Sequence, residues 1–282
     1  MNLPVMGKPE SYFWKKVLRF LSACTRALTL RITVGDGKHK YLFAPKTNND
    51  IFRYTTFFTK EEGTLEWVRK NVTDGAVFFD IGANVGLYSL YAAKNGNGVQ
   101  VFSFEPHKVN FATLLENITL NRLEHSISPL AIALGSDAGF FHLNYNSMAS
   151  GTSMSQLGHS TLPGDRAFVP KLKELVYSCS LDQLIASDQL PMPTMIKIDV
   201  DGNEVPVLSG MVNLLSGANG PRTLQIEINS GQNTEVHAIM ERSGYVLDHV
   251  HFTKSGKRQF EKTKSYESIP HNAVFSKSGG AV

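Results

Sequence analysis

The 282-residue chain is 42% apolar and 19% charged, with 17 Phe and 9 Tyr. That is core material enough to exclude wholesale disorder and to fill one large α/β domain with appendages. Two cysteines, Cys24 and Cys179, exclude a disulfide framework and a four-cysteine zinc site, so a reducing, cytoplasmic setting is expected. The net charge of +3 is unevenly placed: residues 1–50 hold nine Lys and Arg against three acids, and the remainder holds 19 basic against 22 acidic residues. The body of the protein is thus no phosphate-tracking surface, and no nucleic-acid partner is expected.

In chain order, residues 12–28 place Trp14, Val17, Leu18, Leu21, Cys24 and Leu28 at helical spacing. Lys15, Lys16, Arg19 and Arg26 occupy the rest of the wheel, which predicts an amphipathic helix. These charges break the roughly 20 apolar residues that a membrane span requires, and the unbroken apolar centre of a signal peptide is missing. A helix that caps the domain's own core is the expected role. Peripheral contact with an anionic membrane, or a homodimer contact, is the alternative. Short strands at Leu30–Val34 and Lys40–Phe43, around the turn Gly35-Asp36-Gly37, complete a basic extension over residues 1–50.

A single domain is expected over residues 51–276. Apolar, β-rich runs at Ala76–Ile81, Val99–Phe104, Ser128–Leu134, Met195–Val200 and Thr223–Asn229 alternate with helix-length segments. Strands that read as near-continuous apolar runs predict a mostly parallel sheet with helices on both faces. Tyr245–Phe252 and Asn272–Ser276 read instead as an antiparallel pair at one edge, joined by a charged loop. The Ser-, Gly- and Met-rich stretch Asn144 to Arg166 has no period. Long loops of that kind are often functional, and this one is expected to close over a substrate. Residues 277–282 read as a flexible tail.

The most informative stretch runs Val77-Phe78-Phe79-Asp80-Ile81-Gly82-Ala83-Asn84-Val85-Gly86-Leu87. A strand ends in an acid, a Gly-x-Asn-x-Gly turn follows, and a helix begins. Glycines there let the backbone approach a ligand, and ligands of open parallel sheets sit at the carboxyl ends of the strands. The next strand ends Phe104-Glu105-Pro106-His107, with Glu105 placed 23 residues after Gly82 to bind the two hydroxyls of a cofactor ribose. His107 could then reach the adenosine side of the pocket. Asn84 at the middle position and Asp80 before the turn suit an ammonium-bearing ligand better than a pyrophosphate. S-adenosylmethionine is therefore favoured as cofactor over a nicotinamide dinucleotide.

Asp80-Ile81-Gly82-Ala83-Asn84-Val85-Gly86, Phe104-Glu105-Pro106, Leu181-Asp182 and Lys197-Ile198-Asp199-Val200-Asp201-Gly202-Asn203-Glu204 occur in that order. In these motifs the chain resembles the FkbM family of S-adenosylmethionine-dependent methyltransferases, over roughly residues 50 to 276. The resemblance implies a class I, Rossmann-like methyltransferase domain: seven strands, mostly parallel, the last antiparallel. It also implies methyl transfer to a hydroxyl of a sugar, glycan or small natural product, leaving S-adenosylhomocysteine. The chain departs from the family's usual pattern at Asp201, where Glu is more frequent, and at Asn229, where His is frequent. Both positions bear on the substrate rather than on the cofactor.

A central parallel strand should be apolar on both faces, yet Lys197 and Asp199 interrupt Met195–Val200. Side chains alternate along a strand, so these two share a face, and Gln225, Glu227 and Asn229 share one in the next strand. An unpaired buried Lys costs several kcal/mol, so Lys197 requires Glu227 or Asp199 as partner. Asp199 is the expected general base for a hydroxyl nucleophile, with Lys197 and Glu227 positioning it. A divalent cation on Asp199, Asp201, Glu204 and Glu227 is the less favoured arrangement. Asn203 is expected to cap a helix that Glu204 begins. An Asn-Pro-Pro-Tyr signature of amino-group methylation is absent after this strand. Two other readings remain at this point: a nicotinamide-dinucleotide oxidoreductase, and a non-catalytic protein that retains the fold.

Overall fold

A computed structural model describes residues 16, 19, 20, 30–163, 166–229, 231–263 and 269–278. Of the expected N-terminal helix only Lys16, Arg19 and Phe20 fall among them, all helical. The rest of that helix, Cys24 and residues 279–282 lie outside the described residues. Among the described residues no helix is long and apolar enough to cross a membrane.

The elements run β1 (Ile32–Gly35), β2 (Lys40–Phe43), α1 (Asn48–Thr55), α2 (Glu62–Asn71), β3 (Val77–Ile81), α3 (Leu87–Asn95), β4 (Gln100–Phe104), α4 (Lys108–Leu120) and β5 (Ile127–Leu130). Then come β6 (Ala133–Leu134), β7 (Gly139–Tyr145), β8 (Gln156–Leu157), β9 (Thr161–Leu162), β10 (Arg166–Ala167), β11 (Leu172–Cys179) and α5 (Leu181–Ala186). The chain continues with β12 (Met195–Ile198), α6 (Glu204–Ser209), α7 (Val212–Ser216), β13 (Thr223–Ile228), α8 (Asn233–Arg242), β14 (Tyr245–His251), α9 (Lys254–Thr263) and β15 (His271–Lys277).

The main sheet has seven strands in the order β14-β15-β13-β12-β3-β4-β5. Only β15 runs against its neighbours, antiparallel to both β13 and β14. This is the class I, Rossmann-like arrangement. Alternation along the strands divides the interior in two. Phe78, Val101, Met195 and Val274 join one core, while Phe79, Ile196, Ile198, Leu224 and Phe275 join the other. The central strands carry apolar residues on both faces because each face meets a different core, with Asp80, Lys197 and Gln225 as buried polar interruptions. Tyr41 and Phe43 of β2 are fully buried in the first core, so the extension packs into the domain, and residue 50 falls inside α1.

Several expectations are corrected. The run Ser128–Leu134 is two strands in two sheets: β5 pairs with β4, whereas β6 pairs with β11. A second, four-stranded sheet, β6-β11-β7-β8, was not foreseen, and part of the Asn144–Arg166 stretch belongs to it. The late antiparallel pair does stand at one edge of the sheet, with β14 outermost and β15 inserted between it and β13. The charged loop joining that pair contains α9. β15 runs to Lys277, whose ammonium donates to the Leu215 carbonyl at 2.9 Å, so this residue belongs to the sheet. The Leu181-Asp182 motif is explained by packing: Leu181 is buried, and the Asp182 carboxylate accepts from Asn213 N and Leu214 N, docking α5 onto the start of α7.

Candidate active site

At the carboxyl ends of β3, β4, β12 and β13 a cleft of about 310 Å³ opens. Gly82, Asn84, Glu105, Pro106, His107, Lys197, Asp199 and Glu227 all line it. The wall from β3 and β4 is built by the turn. Gly82 has φ +77°, and a Cβ there would stand 1.8 Å from the Asp199 carbonyl oxygen, so only glycine lets β3 and β12 close at their tips. Gly86, at φ +87°, starts α3 with Leu114 packed where its side chain would be. Asn84 adopts φ +52°, a conformation Asn tolerates better than most residues.

Glu105 is buried, with Oε2 accepting from Asn84 N at 2.7 Å and Oε1 from His107 N at 2.8 Å. Burial pushes its carboxyl up to about 7, against those two amide hydrogen bonds. His107 is buried as well. Its Nδ1 accepts from Asn110 N, capping α4, so the proton sits on Nε2, which donates to the Ser147 carbonyl at 3.0 Å. Asp80 stands apart from its expected place. Its carboxylate is wholly buried beneath the turn and does not line the cleft. It accepts from Ser89 Oγ at 2.5 Å and stands 3.8 Å from Lys197 Nζ.

The wall from β12 and β13 is built of charges. Lys197 is 1% exposed, donates to Asp199 Oδ2 at 3.0 Å, and lies 5.0 Å over the Tyr88 ring. Burial opposes its charge, but the Asp199 and Asp80 carboxylates outweigh burial and hold the ammonium above its ordinary range. The nearer Asp199 is the governing counter-ion. Burial also opposes the Asp199 charge, yet Lys197 and a hydrogen bond from Glu227 keep its carboxyl below the usual range. The Asp199 charge, and then burial, drive Glu227 well above its own. The pair therefore shares one proton, held on Glu227 and donated to an ionised Asp199. Lys197 thus has the Asp199 partner that its burial requires, while Glu227 bonds Asp199 instead of Lys197.

Asp201, at φ +56°, accepts from Met154 N at 2.7 Å, and burial pushes its carboxyl up to about 6. Oxygens of Asp199, Asp201 and Glu227 come within 4.8 Å of one another and form the set that could hold a divalent cation. Glu204 does not join them. It is fully buried and accepts from Val200 N and Gly202 N, pinning the turn after β12. Asn203 makes no cap, and its amide donates to Gln156 Oε1 instead. His249 and His251 are side by side on β14 with Nε2 atoms 3.0 Å apart, away from the cleft lining, and Cys179 is buried in the second core.

Residues 147–156 cross the cleft as a strap tied along its length. Ser147 O accepts from His107, Ser150 Oγ donates to Asp50, Thr152 O accepts from Asn84 and Asn110, and Met154 N reaches Asp201. The expected loop is thus a fixed wall, with Thr152 to Ser155 lining the cleft. Sequence reading missed Arg53, Lys60, Glu61, Tyr88 and Asn110, which also line it. Tyr88, second in the helix after the glycine turn, and Asn110, one helical turn after His107, were within reach of spacing arguments. Arg53 and Glu61 carry no local signal, since α1 and the connection to α2 are brought there by the tertiary fold.

A family profile described as the methyltransferase FkbM domain matches residues 80–247, more than half of the chain. The chain belongs to the FkbM methyltransferase family. It is 28% identical over 173 residues to the hexuronic acid methyltransferase AglP of Haloferax volcanii, covering 61% of this chain and 63% of that protein. It is 27% identical over 197 residues to the 31-O-demethyl-FK506 methyltransferase FkbM of Streptomyces tacrolimicus, covering 61% of this chain and 74% of that one. The chain therefore spans a little under two thirds of the first relative's length. The crystal structure of an FkbM methyltransferase from Methylobacillus flagellatus KT aligns at a TM-score of 0.44 and 16% identity, over 72% of this chain and 44% of the other.

Proposed function

We propose that the protein is a cytoplasmic, S-adenosylmethionine-dependent O-methyltransferase whose acceptor is a hydroxyl of a sugar, glycan or small natural product. One observation carries the reading: the Asp199 carboxyl, 3.0 Å from the Lys197 ammonium, faces the same cleft as the glycine turn, Glu105 and Glu227. When bound, the cofactor supplies an electrophilic methyl group on a sulfonium, a centre whose leaving group needs no activation.

The residues fit that ligand. Gly82, with no Cβ, lets the turn close against the tip of β12 and brings Asp199 to the same cleft, and Glu105 presents carboxylate oxygens suited to a pair of ribose hydroxyls. Asp199 accepts the proton that an acceptor hydroxyl must lose as its oxygen bonds to carbon, a contribution of about 10²–10⁴ in rate. Lys197 keeps Asp199 ionised and aimed, and Glu227 fixes its second direction by hydrogen bonding. A metal is the less favoured way to hold Asp199 and Glu227 together, since the Lys197 ammonium and one proton already offset these two carboxyls. The acceptor class rests on the relatives, whose names specify a hexuronic acid and an oxygen of a natural product.

Calorimetric titration with S-adenosylhomocysteine and, separately, NAD tests the reading. Saturable binding of the former alone, weakened about ten- to hundredfold by Glu105→Ala through an unpaired ribose, is expected. Binding of NAD alone would overturn it.

A further inference from the structure

We propose that Arg53 is the counter-ion for the amino-acid carboxylate of the bound S-adenosyl ligand, an assignment that rests on the cofactor reading above. The argument begins with the three Lys and Arg side chains that line the cleft among the described residues: Arg53, Lys60 and Lys197. Lys197 is engaged by Asp199 at 3.0 Å and by Asp80. Lys60 pairs with Glu61 at 2.9 Å. Arg53 has no carboxylate partner among the described residues. Its Nε donates to the Gly151 carbonyl at 2.7 Å, which fixes the guanidinium plane against the strap. The two Nη groups make no hydrogen bond to any described residue, leaving a planar fork suited to bidentate capture of a carboxylate.

A second observation concerns the donors such a carboxylate could otherwise use. Four backbone amides of the glycine turn are committed inside the protein. Gly82 N and Ala83 N donate to the Phe104 carbonyl, Asn84 N to Glu105, and Gly86 N to the Ala83 carbonyl. The turn therefore offers these four amides to no ligand. Arg53 occupies the right place to make up the deficit, since its charge is felt by both Glu105 and Asp201, on opposite walls of the cleft. A ligand that spans those walls carries a ribose at one end and a zwitterionic amino acid at the other. Its ammonium has Asp201 for company, and its carboxylate has Arg53.

An acceptor could also bring a carboxylate, so the test compares two nucleosides and needs no acceptor. The full-length protein and Arg53→Gln are titrated calorimetrically with S-adenosylhomocysteine and with 5′-deoxy-5′-methylthioadenosine, which lacks the amino-acid end. The expected result is a loss of about ten- to hundredfold in affinity for S-adenosylhomocysteine, the range for a hydrogen bond to a charged group, with the methylthioadenosine affinity unchanged. Arg53→Lys should recover part of the loss. Equal weakening of both nucleosides would mean that Arg53 only braces the strap, and an unchanged S-adenosylhomocysteine affinity would assign its charge to something other than the cofactor. Either outcome overturns the proposal while leaving the cofactor reading intact. Failure of the wild-type protein to bind either nucleoside would overturn both.

Discussion

The two walls of the cleft are made in opposite ways. The wall from β3 and β4 relies on backbone: glycines at positive φ, amides that hold Glu105, and a helix cap from His107, all within residues 80–110. The wall from β12 and β13 relies on charged side chains that stabilise one another, with Lys197, Asp199 and Glu227 sharing a single ionisation pattern. A wall of backbone tolerates change at few positions and carries one carboxyl that titrates near neutrality, Glu105. A wall of coupled charges answers any loss with a redistribution of protons.

Gly82→Ala attacks the one point where the walls touch, because the new Cβ falls on the Asp199 carbonyl. Measurable S-adenosylhomocysteine binding and activity should both vanish, and the melting temperature should fall, consistent with about 1–3 kcal/mol of backbone strain plus the displaced turn. Asp199→Asn should separate the walls: turnover drops about 10²–10⁴-fold while S-adenosylhomocysteine affinity stays within about threefold of the wild type. Retained turnover in that variant would remove Asp199 as base.

A third test sharpens the contrast through pH. Burial raises Glu105 from 4.5 to about 7, so between those values the folded protein holds a proton that the unfolded chain has released. Stability from this group is present below that window and is lost as pH rises through about 7. The melting temperature of Glu105→Gln relative to wild type should therefore rise between about pH 5 and about pH 8. Since the ionised carboxylate is the better acceptor for hydroxyls, S-adenosylhomocysteine should bind about tenfold tighter at pH 8 than at pH 6 in the wild type, and equally at both in the variant. The smallest effect is reserved for metal removal. Turnover after EDTA treatment should change by less than about twofold, because Lys197 and the Glu227 proton already offset two of the three carboxyls, Asp199 and Glu227. A large, Mg²⁺-reversible loss would favour the cation site at Asp199, Asp201 and Glu227.

The sequence was most legible where function depends on neighbours in the chain. The Gly-x-Asn-x-Gly turn, Glu105 at the next strand's tip and the interrupted apolar strand around Lys197 were readable because turn geometry and alternation act over a few residues. Asp80 was misplaced by the same local logic: its position before the turn suggested a ligand contact, whereas the packing of Ser89 and Lys197 draws the carboxylate beneath the sheet tip. Glu204 and Asn203 do start a helix as read, but Asn203 makes no side-chain cap and Glu204 also holds the amides of the turn after β12. The second sheet was invisible for a related reason. Its strands β6 and β8 have two residues each, too few to show a period, and β7 and β11 leave large apolar side chains such as Phe140 and Leu175 exposed.

The insertion of β15 between β13 and β14 has a consequence for synthesis of the protein. Glu227 lies on β13, which is hydrogen-bonded to β12 on one side and to residues 271–277 on the other. A nascent chain thus completes the turn that holds Glu105 well before the strand bearing Glu227 can find its second partner. At about 5–20 residues per second, the interval from the end of β13 at Ile228 to the end of β15 at Lys277 lasts about 2–10 s on the ribosome. Until it ends β13 presents an open edge, a surface prone to pairing with other chains.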